Sequence, residues 1–360
     1  MKAIRYVAPG DFPVVEIPNP RPGPHEILVR PRYVGLCFTD KHSWDGLTGG
    51  TNGMVGGHEF SAEIVELGTE VEGPPVGTLV SVDPRLYCGQ CRFCAAGLQT
   101  RCVTGPTLLG VSAHCDGGLA DLCVVPEYAV YVVPDGVTAL AAACVEPKCC
   151  ATRAARNAGV RIGDNALVLG CEDYGLFVTG WLRAAGVNEI IAVDPSEMRR
   201  SAATEMGADL TLSSSSDYLD AVSRKFPAGA DIVFVNLEDY IVDSEMYLEN
   251  AFLACRTQGK VVVLRAYGPA PYANLHSHPA WLKEIELLHF GNFFGNEPLQ
   301  GGRPRGDWQV TLDALADGRV QAPTPGATVV DFSAISGSKD FVDIFASIPE
   351  RTSKVLIRMS

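Results

Sequence analysis

The chain has 360 residues, of which 47% are hydrophobic and 20% charged, as is typical of a soluble globular protein with one large or two ordinary domains. Its formal net charge of -13 argues against nucleic acid as a partner, because phosphate binding requires a basic face. No apolar run approaches the length of a membrane span, and residues 1–4 lead directly into strand-like sequence without the apolar segment of a secretory signal. We therefore expect neither nucleic acid nor a membrane as a partner.

Cysteine usage indicates the compartment. The chain has 12 cysteines, and Cys149 and Cys150 are adjacent. This pattern is typical of a reducing compartment rather than of a disulfide framework. We therefore predict a cytoplasmic protein in which the cysteines without metal-ligand spacing are small core residues.

Short strands and two groups of reactive side chains are predicted for the first part of the chain. Residues 2–7, 14–17 and 26–34 are rich in strand-forming side chains and are separated by prolines. A thiol, a hydroxyl, a carboxylate and an imidazole then fall within six residues, at Cys37, Thr39, Asp40 and His42. A Gly-His-Glu motif follows, with His58 and Glu59. Each side chain alone is typical of an ordinary core or surface group, but together, ahead of a four-cysteine loop, they indicate a functional site.

Residues 85–103 form the loop with the most specific spacing in the sequence. It holds Cys88, Cys91, Cys94 and Cys102, so two residues separate each of the first three thiols. Such spacing lets one tight loop direct several sulfur atoms at one point, and four thiolates suit a closed tetrahedral zinc site. A site filled by four sulfur atoms leaves no position for water, which predicts a structural role. The alternative is a pair of disulfides, which would be expected in a small secreted domain.

From about residue 150 the pattern changes to alternating helices and strands. Predicted strands at 165–169 and 189–193 flank a predicted helix at 176–185, and further strands are predicted at 231–235 and 260–264. This order is typical of a doubly wound parallel sheet that binds a dinucleotide. Gly170 and Gly175 lie in the turn expected to approach the pyrophosphate. Asp194, at the end of the second strand, would accept hydrogen bonds from the adenosine ribose and favour NAD over NADP.

The predicted phosphate turn departs from the dinucleotide fingerprint at Glu172, where a glycine is required. A carboxylate about 4 Å from a phosphate costs on the order of a few kcal/mol at an effective dielectric constant of about 20. The turn can accommodate the negative charge of Glu172 in two ways. Either the side chain turns away and the turn is remodelled, or a cation such as Lys148 or an arginine pairs with it. The segment 236–241 after a later strand, and Lys148 itself, are further departures at the cofactor region.

The chain resembles the zinc-dependent medium-chain alcohol and polyol dehydrogenases, in the branch of the sorbitol, threonine and glucose dehydrogenases. The resemblance runs over nearly the whole length and is carried by these segments in order: 35–42, 57–59, the four-cysteine loop, 117–120, Glu146-Pro147, the dinucleotide unit and a C-terminal return. It implies an α/β protein in which a GroES-like β domain, residues 1–149 and 293–360, surrounds an inserted Rossmann domain, residues 150–292.

The resemblance also implies roles for individual residues. A catalytic zinc would be held by Cys37, His58 and Glu146. Glu59 would either replace one of these ligands or contact the ligands without binding the zinc itself. Thr39 and His42 match the proton relay of the family, and Asp40 matches the carboxylate that orients the imidazole of His58. Cofactor contacts are implied for Gly170, Glu172, Gly175, Asp194 and Cys150, the last of them beside the nicotinamide.

The function implied is an NAD-linked oxidoreductase with two zinc ions per chain. It would interconvert a secondary alcohol and a ketone on a polyol, sugar, aminosugar or cyclitol, and it would form a homodimer or homotetramer. One alternative is a redox-neutral zinc enzyme, catalysing elimination, isomerisation or epimerisation with an altered or tightly held dinucleotide. Another is a non-catalytic scaffold stabilised by metal.

Overall fold

A computed structural model describes residues 1–47, 53–97, 99–104, 107–112, 114–214, 218–237, 244–266, 277–289, 306–351 and 354–359. The chain divides into two compact units. Unit 1 comprises Met1–Glu146, Phe294–Gly318 and Ala327–Ser360, and unit 2 comprises Pro147–Phe293 and Arg319–Gly326. The domain limits drawn from the sequence, at 149/150 and 292/293, stay a prediction.

The strands, in chain order, are β1 (Lys2–Tyr6), β2 (Val14–Glu16), β3 (Glu26–Leu36), β4 (Met54–Val55), β5 (Glu59–Leu67), β6 (Leu79–Val82), β7 (Arg85–Leu86), β8 (Thr107–Leu108), β9 (Cys123–Pro126), β10 (Val130–Val132), β11 (Asn165–Leu169), β12 (Glu189–Val193), β13 (Leu210–Leu212), β14 (Ala230–Leu237), β15 (Cys255–Ala266), β16 (Glu286–His289), β17 (Thr328–Asp331) and β18 (Val355–Arg358).

The helices are α1 (Phe38–Trp44), α2 (Arg92–Ala95), α3 (Ala139–Ala142), α4 (Val145–Ala158), α5 (Asp173–Ala184), α6 (Glu197–Glu205), α7 (Tyr218–Lys225), α8 (Ser244–Ala254), α9 (His278–Leu282), α10 (Asp307–Ala316) and α11 (Ser338–Arg351). Short 3-10 helices lie at Gln99–Arg101, Glu127–Ala129 and Phe332–Ala334. Within the ranges given above, no helix combines the length and the apolar character needed to cross a membrane.

Unit 1 is built mainly from β-sheets. Its largest sheet has the strand order β10-β6-β5-β3-β18-β17, with β9 also paired to β3, and smaller sheets are formed by β2-β1-β4 and β7-β8. The C-terminal strand β18 pairs antiparallel with β3, so the end of the chain completes the sheet that begins near its start. This C-terminal return was expected from the resemblance.

Unit 2 contains a six-stranded parallel sheet in the order β13-β12-β11-β14-β15-β16. This is the strand order of the Rossmann fold, so the predicted doubly wound unit is confirmed. Strands β11 and β12 have the predicted limits because each is an apolar run bounded by turn residues. Their inner residues, including Leu167, Leu169 and Ile191, are fully buried, as expected for parallel strands with helices on both faces. Residues 238–241 of the predicted departure at 236–241 lie outside the described residues.

Candidate functional site

Three candidate metal ligands of unit 1 converge where two antiparallel strands meet. Gly35 near the end of β3 pairs with Glu59 at the start of β5. Cys37 follows β3 and His58 precedes β5, so this register brings both to the same end of the strand pair. The ligand atoms of Cys37, His58 and Glu59 all lie within 4.8 Å of one another, and all three residues are buried. The structure thus brings together side chains that the sequence places about twenty residues apart.

The polar atoms at this point fit a metal ion. In the part of the chain that the structure describes, His58 Nδ1, Glu59 Oε1 and Glu146 Oε2 are buried without a hydrogen-bond partner. Buried polar atoms are nearly always satisfied, so such a group needs an explanation, and a cation bound by Cys, His and carboxylate ligands supplies one. Glu146, the second residue of α4, is not among the three ligand groups within 4.8 Å. Burial, followed by the charge of Glu59, raises the pKa of its carboxyl to about 8, while His58 opposes the shift.

Glu59 also has a cationic partner that the sequence analysis missed. The Lys354 Nζ lies 2.6 Å from Glu59 Oε2, and both side chains are fully buried. Lys354 directly precedes β18, which pairs with β3 beside β5. Gly35 is required here, because a Cβ at that position would overlap the Glu59 carboxylate. The C-terminal return therefore places the positive charge of Lys354 against Glu59, one of the candidate metal ligands.

Helix α1 carries the candidate relay. Cys37 is its N-cap, and the Asp40 carboxylate accepts a hydrogen bond from the Cys37 backbone N–H at 2.7 Å, which fixes the first turn. Thr39 Oγ1 lies 3.5 Å from Cys37 Sγ. His42 is buried three residues after Thr39, so both lie on the same face of the helix. The structure thus places the hydroxyl next to the thiol and the imidazole one turn further along.

Asp40 contacts Tyr6 as well as lying near His58. Its Oδ1 accepts a hydrogen bond from the Tyr6 hydroxyl at 3.0 Å and lies 3.9 Å from His58 Nδ1, beyond hydrogen-bonding distance. Burial raises the pKa of the Asp40 carboxyl, whereas His58 and the Cys37 N–H lower it. Burial and Asp40 together raise the pKa of Tyr6 well above its usual value, so Tyr6 stays a donor. The contact with Tyr6 was not foreseen from the sequence.

The four-cysteine loop also has metal-site geometry. The sulfur atoms are separated by 3.4 Å (Cys88–Cys102), 3.5 Å (Cys91–Cys94), 3.9 Å (Cys88–Cys94) and 4.0 Å (Cys91–Cys102). Four thiolates about 2.3 Å from a tetrahedral zinc would be about 3.8 Å apart, whereas a disulfide bond measures about 2.05 Å. All four are free cysteines, and N–H donation from Cys88 to Cys102 lowers the pKa of the Cys102 thiol to about 6. The disulfide alternative is therefore wrong for this loop, and zinc fits.

The turn after β11 in unit 2 keeps the backbone of a dinucleotide-binding turn. Gly170 has a φ of +91°, a left-handed conformation that favours glycine. A Cβ at Gly175 would overlap the carbonyl oxygen of Gly170, so the first turn of α5 can pack there only without a side chain. The pyrophosphate contacts of both glycines stay predictions. The side chain between them, Glu172, is the departure from the fingerprint.

Glu172 is the N-cap of α5, and its carboxylate forms an ion pair with Arg199 of α6. This is the second solution expected from the sequence, with an arginine as the cation, while the Lys148 Nζ lies 4.2 Å from the centre of the Phe177 ring. Asp194 accepts hydrogen bonds from the backbone N–H groups of Cys171 and Ser196, both at 2.8 Å. The ribose role of Asp194 and the nicotinamide contact of Cys150, which is buried in α4, stay predictions.

Two family models match the chain. The alcohol dehydrogenase GroES-like domain matches residues 23–135, and the zinc-binding dehydrogenase model matches residues 175–317. The chain belongs to the zinc-dependent medium-chain dehydrogenase family. The family resemblance and the predicted architecture, a GroES-like β domain with a Rossmann domain, are thus confirmed.

The chain is also similar in sequence to a known enzyme and in fold to two solved structures. L-threonine 3-dehydrogenase of Xanthomonas euvesicatoria pv. vesicatoria is 32% identical over 197 residues, which are 54% of this chain and 57% of the relative, so the match spans little more than half of that protein. Galactitol-1-phosphate dehydrogenase from Escherichia coli has a TM-score of 0.83 at 21% identity, over 99% of this chain and 100% of its own. A protein from Sinorhizobium meliloti 1021 bound to NADP has a TM-score of 0.85 at 24% identity, over 99% and 98%.

Proposed function

We propose that this family member is a zinc-dependent oxidoreductase that interconverts a secondary alcohol and a ketone on a polar substrate, such as a polyol, sugar, aminosugar or cyclitol, with NAD as cofactor. The observation that supports this most directly is the convergence of Cys37, His58 and Glu59 with unsatisfied buried atoms around one point. L-threonine and galactitol 1-phosphate, named in the two relatives, both carry secondary hydroxyl groups.

The protein's own residues bind the metal and move a proton. We assign Cys37, His58 and Glu146 as ligands, because Glu59 already has Lys354 as its partner, whereas the buried Glu146 carboxyl would gain most from a cation. Zinc, when bound, would act as a Lewis acid on the substrate oxygen, and NAD would accept the hydride from the carbinol carbon. Thr39 accepts the hydroxyl proton and passes its own proton towards His42, which releases it to water. Asp40 holds the start of α1 and faces His58.

A second zinc in the four-cysteine loop is part of the proposal. Cys91→Ser is expected to lower the zinc content by one ion per chain and the thermal midpoint by more than about 5 °C, because the loop loses its cross-link. Elemental analysis and calorimetry check this. Cys115→Ser is the matched control, since Cys115 lies outside both metal clusters. Unchanged zinc content in Cys91→Ser would contradict the assignment.

NAD preference rests on Asp194, whose carboxylate would repel a 2′-phosphate. A fluorescence titration with NADH and NADPH tests this preference, and micromolar NADH binding with much weaker NADPH binding is expected.

The redox-neutral alternative is favoured by one observation, the glutamate in the phosphate turn. Absence of dinucleotide binding, with no dinucleotide released on heating, would direct the search to eliminations and isomerisations. The cytoplasmic location stays a prediction.

Self-association through unit 2 is the proposed origin of a homodimer or homotetramer. Among the described residues, β16 pairs with a strand on one side only, and Trp281, Leu282 and Leu287 beside it are exposed. An open edge with exposed apolar side chains is a template for pairing with another copy. Leu287→Lys is expected to halve the mass measured by sedimentation, whereas Ile162→Lys, at a more exposed apolar residue of the same unit, should not. A monomeric wild type would contradict this.

A further inference from the structure

The phosphate turn of this chain contains a carboxylate that is paired with a buried arginine. Glu172 is buried at the N-terminus of α5, and Arg199, which is also buried, pairs with it. The same guanidinium lies 3.8 Å from Asp194 Oδ2. One buried cation is thus shared by two carboxylates, and all three residues belong to unit 2.

Glu172 lies beside the groups that attract phosphate in this kind of turn. The N-terminus of a helix carries a partial positive charge and binds anions. Helix α5 has 12 residues, and Glu172 stands at its N-cap. Arg199 supplies a full positive charge at the same place. The full positive charge at this turn is therefore already paired with a carboxylate of the chain itself.

The rest of the turn argues against a general loss of the dinucleotide site. Gly170 keeps its left-handed backbone, and Gly175 leaves no space for a Cβ. Asp194 ties the turn to the end of β12 by accepting the Cys171 N–H. The side chain at position 172 stands against an incoming pyrophosphate through both its volume and its charge.

We propose that Glu172 is an internal competitor of the dinucleotide pyrophosphate. It occupies Arg199 beside the N-terminus of α5 when no cofactor is bound, and binding requires the Glu172–Arg199 pair to open. The affinity of this chain for NADH and NADPH is therefore at least about tenfold lower than the same turn would reach without the carboxylate. The inference rests on the proposed dinucleotide cofactor and adds that Glu172 weakens the binding of that cofactor.

The test is a fluorescence titration of the zinc-replete protein with NADH and NADPH, for the wild type and three variants of Glu172. Glu172→Gln keeps the volume and removes the charge, Glu172→Gly removes both, and Glu172→Asp keeps the charge. The first two are expected to lower the Kd for NADH at least tenfold, and Glu172→Asp is expected to stay close to the wild type. In the first two variants Arg199 retains Asp194 as a partner, and circular dichroism verifies folding.

Glu189→Gln is the matched control, because Glu189 forms an ion pair with Lys225 in the same unit but away from the turn. Its Kd should equal that of the wild type. Equal or weaker NADH binding by Glu172→Gln and Glu172→Gly than by the wild type would overturn the competitor role while leaving the proposed cofactor in place. Failure of the wild type and of every variant to bind either dinucleotide would overturn the proposed cofactor, and the competitor role with it.

Discussion

Substituting Cys37 by serine is expected to lower turnover by at least about a thousandfold and to leave the fold intact. Lewis-acid stabilisation by a metal contributes several kcal/mol to the transition state, and each 1.36 kcal/mol is about a factor of ten in rate. Cys37 contributes the thiolate of the candidate catalytic site and lies at the N-cap of α1, whose first turn is held by Asp40. Serine retains the N–H that Asp40 accepts, so the helix should still form.

Three measurements separate this result from unfolding. Turnover, zinc per chain and the circular dichroism spectrum are compared between the wild type, Cys37→Ser and Cys123→Ser. Cys123 is the control, because it is buried like Cys37 but donates to a backbone carbonyl outside both metal clusters. Loss of turnover and of one zinc ion with an unchanged spectrum would rule out the scaffold alternative. Full activity in Cys37→Ser would contradict the proposed metal site.

The parts of the fold that the sequence predicts best are those whose stability is local. Strands β11 and β12 are short apolar runs between turn residues, and their limits could be read directly. Strand β15 is predicted at 260–264 but begins at Cys255, because Cys255 pairs with Ala230 of β14. After an irregularity the pairing continues from Ile232↔Lys260. That extension depends on a neighbour that single-sequence patterns do not contain.

In the candidate site, too, some residues could be predicted from the sequence and others depend on tertiary contacts. The four cysteines could be found because spacing and residue type carry the signal, whereas the pairing of Cys37 with His58 was implied by the family resemblance. Lys354 and Arg199 could not be identified from the sequence as ion-pair partners. Each acts through a contact made only after the sheet or the helix has formed. For Glu172 the charge imbalance did predict that a cation was needed, and an arginine was one of the choices. Its identity required the packing of α6 beside the turn.

Replacing Lys354 by methionine is expected to lower the free energy of unfolding by about 3 to 5 kcal/mol, although methionine conserves much of the volume. The substitution leaves the fully buried carboxylate of Glu59 without its 2.6 Å partner, and a lone buried charge is strongly destabilising. Denaturant unfolding of the protein as purified measures the loss. Adding Glu59→Gln is expected to restore most of it, since the uncompensated charge is then removed.

The control is the exposed ion pair of Lys225 and Glu189 in unit 2, in which the Lys225 side chain is 47% exposed. Lys225→Met should cost less than about 1 kcal/mol, because water solvates both charges once they are separated. A loss in Lys354→Met as small as in this control would mean that another cation compensates Glu59. In that case zinc is the first candidate, and Glu59 rather than Glu146 would become the preferred carboxylate ligand. The comparison therefore tests the proposed ligand set as well as the stability of the buried pair.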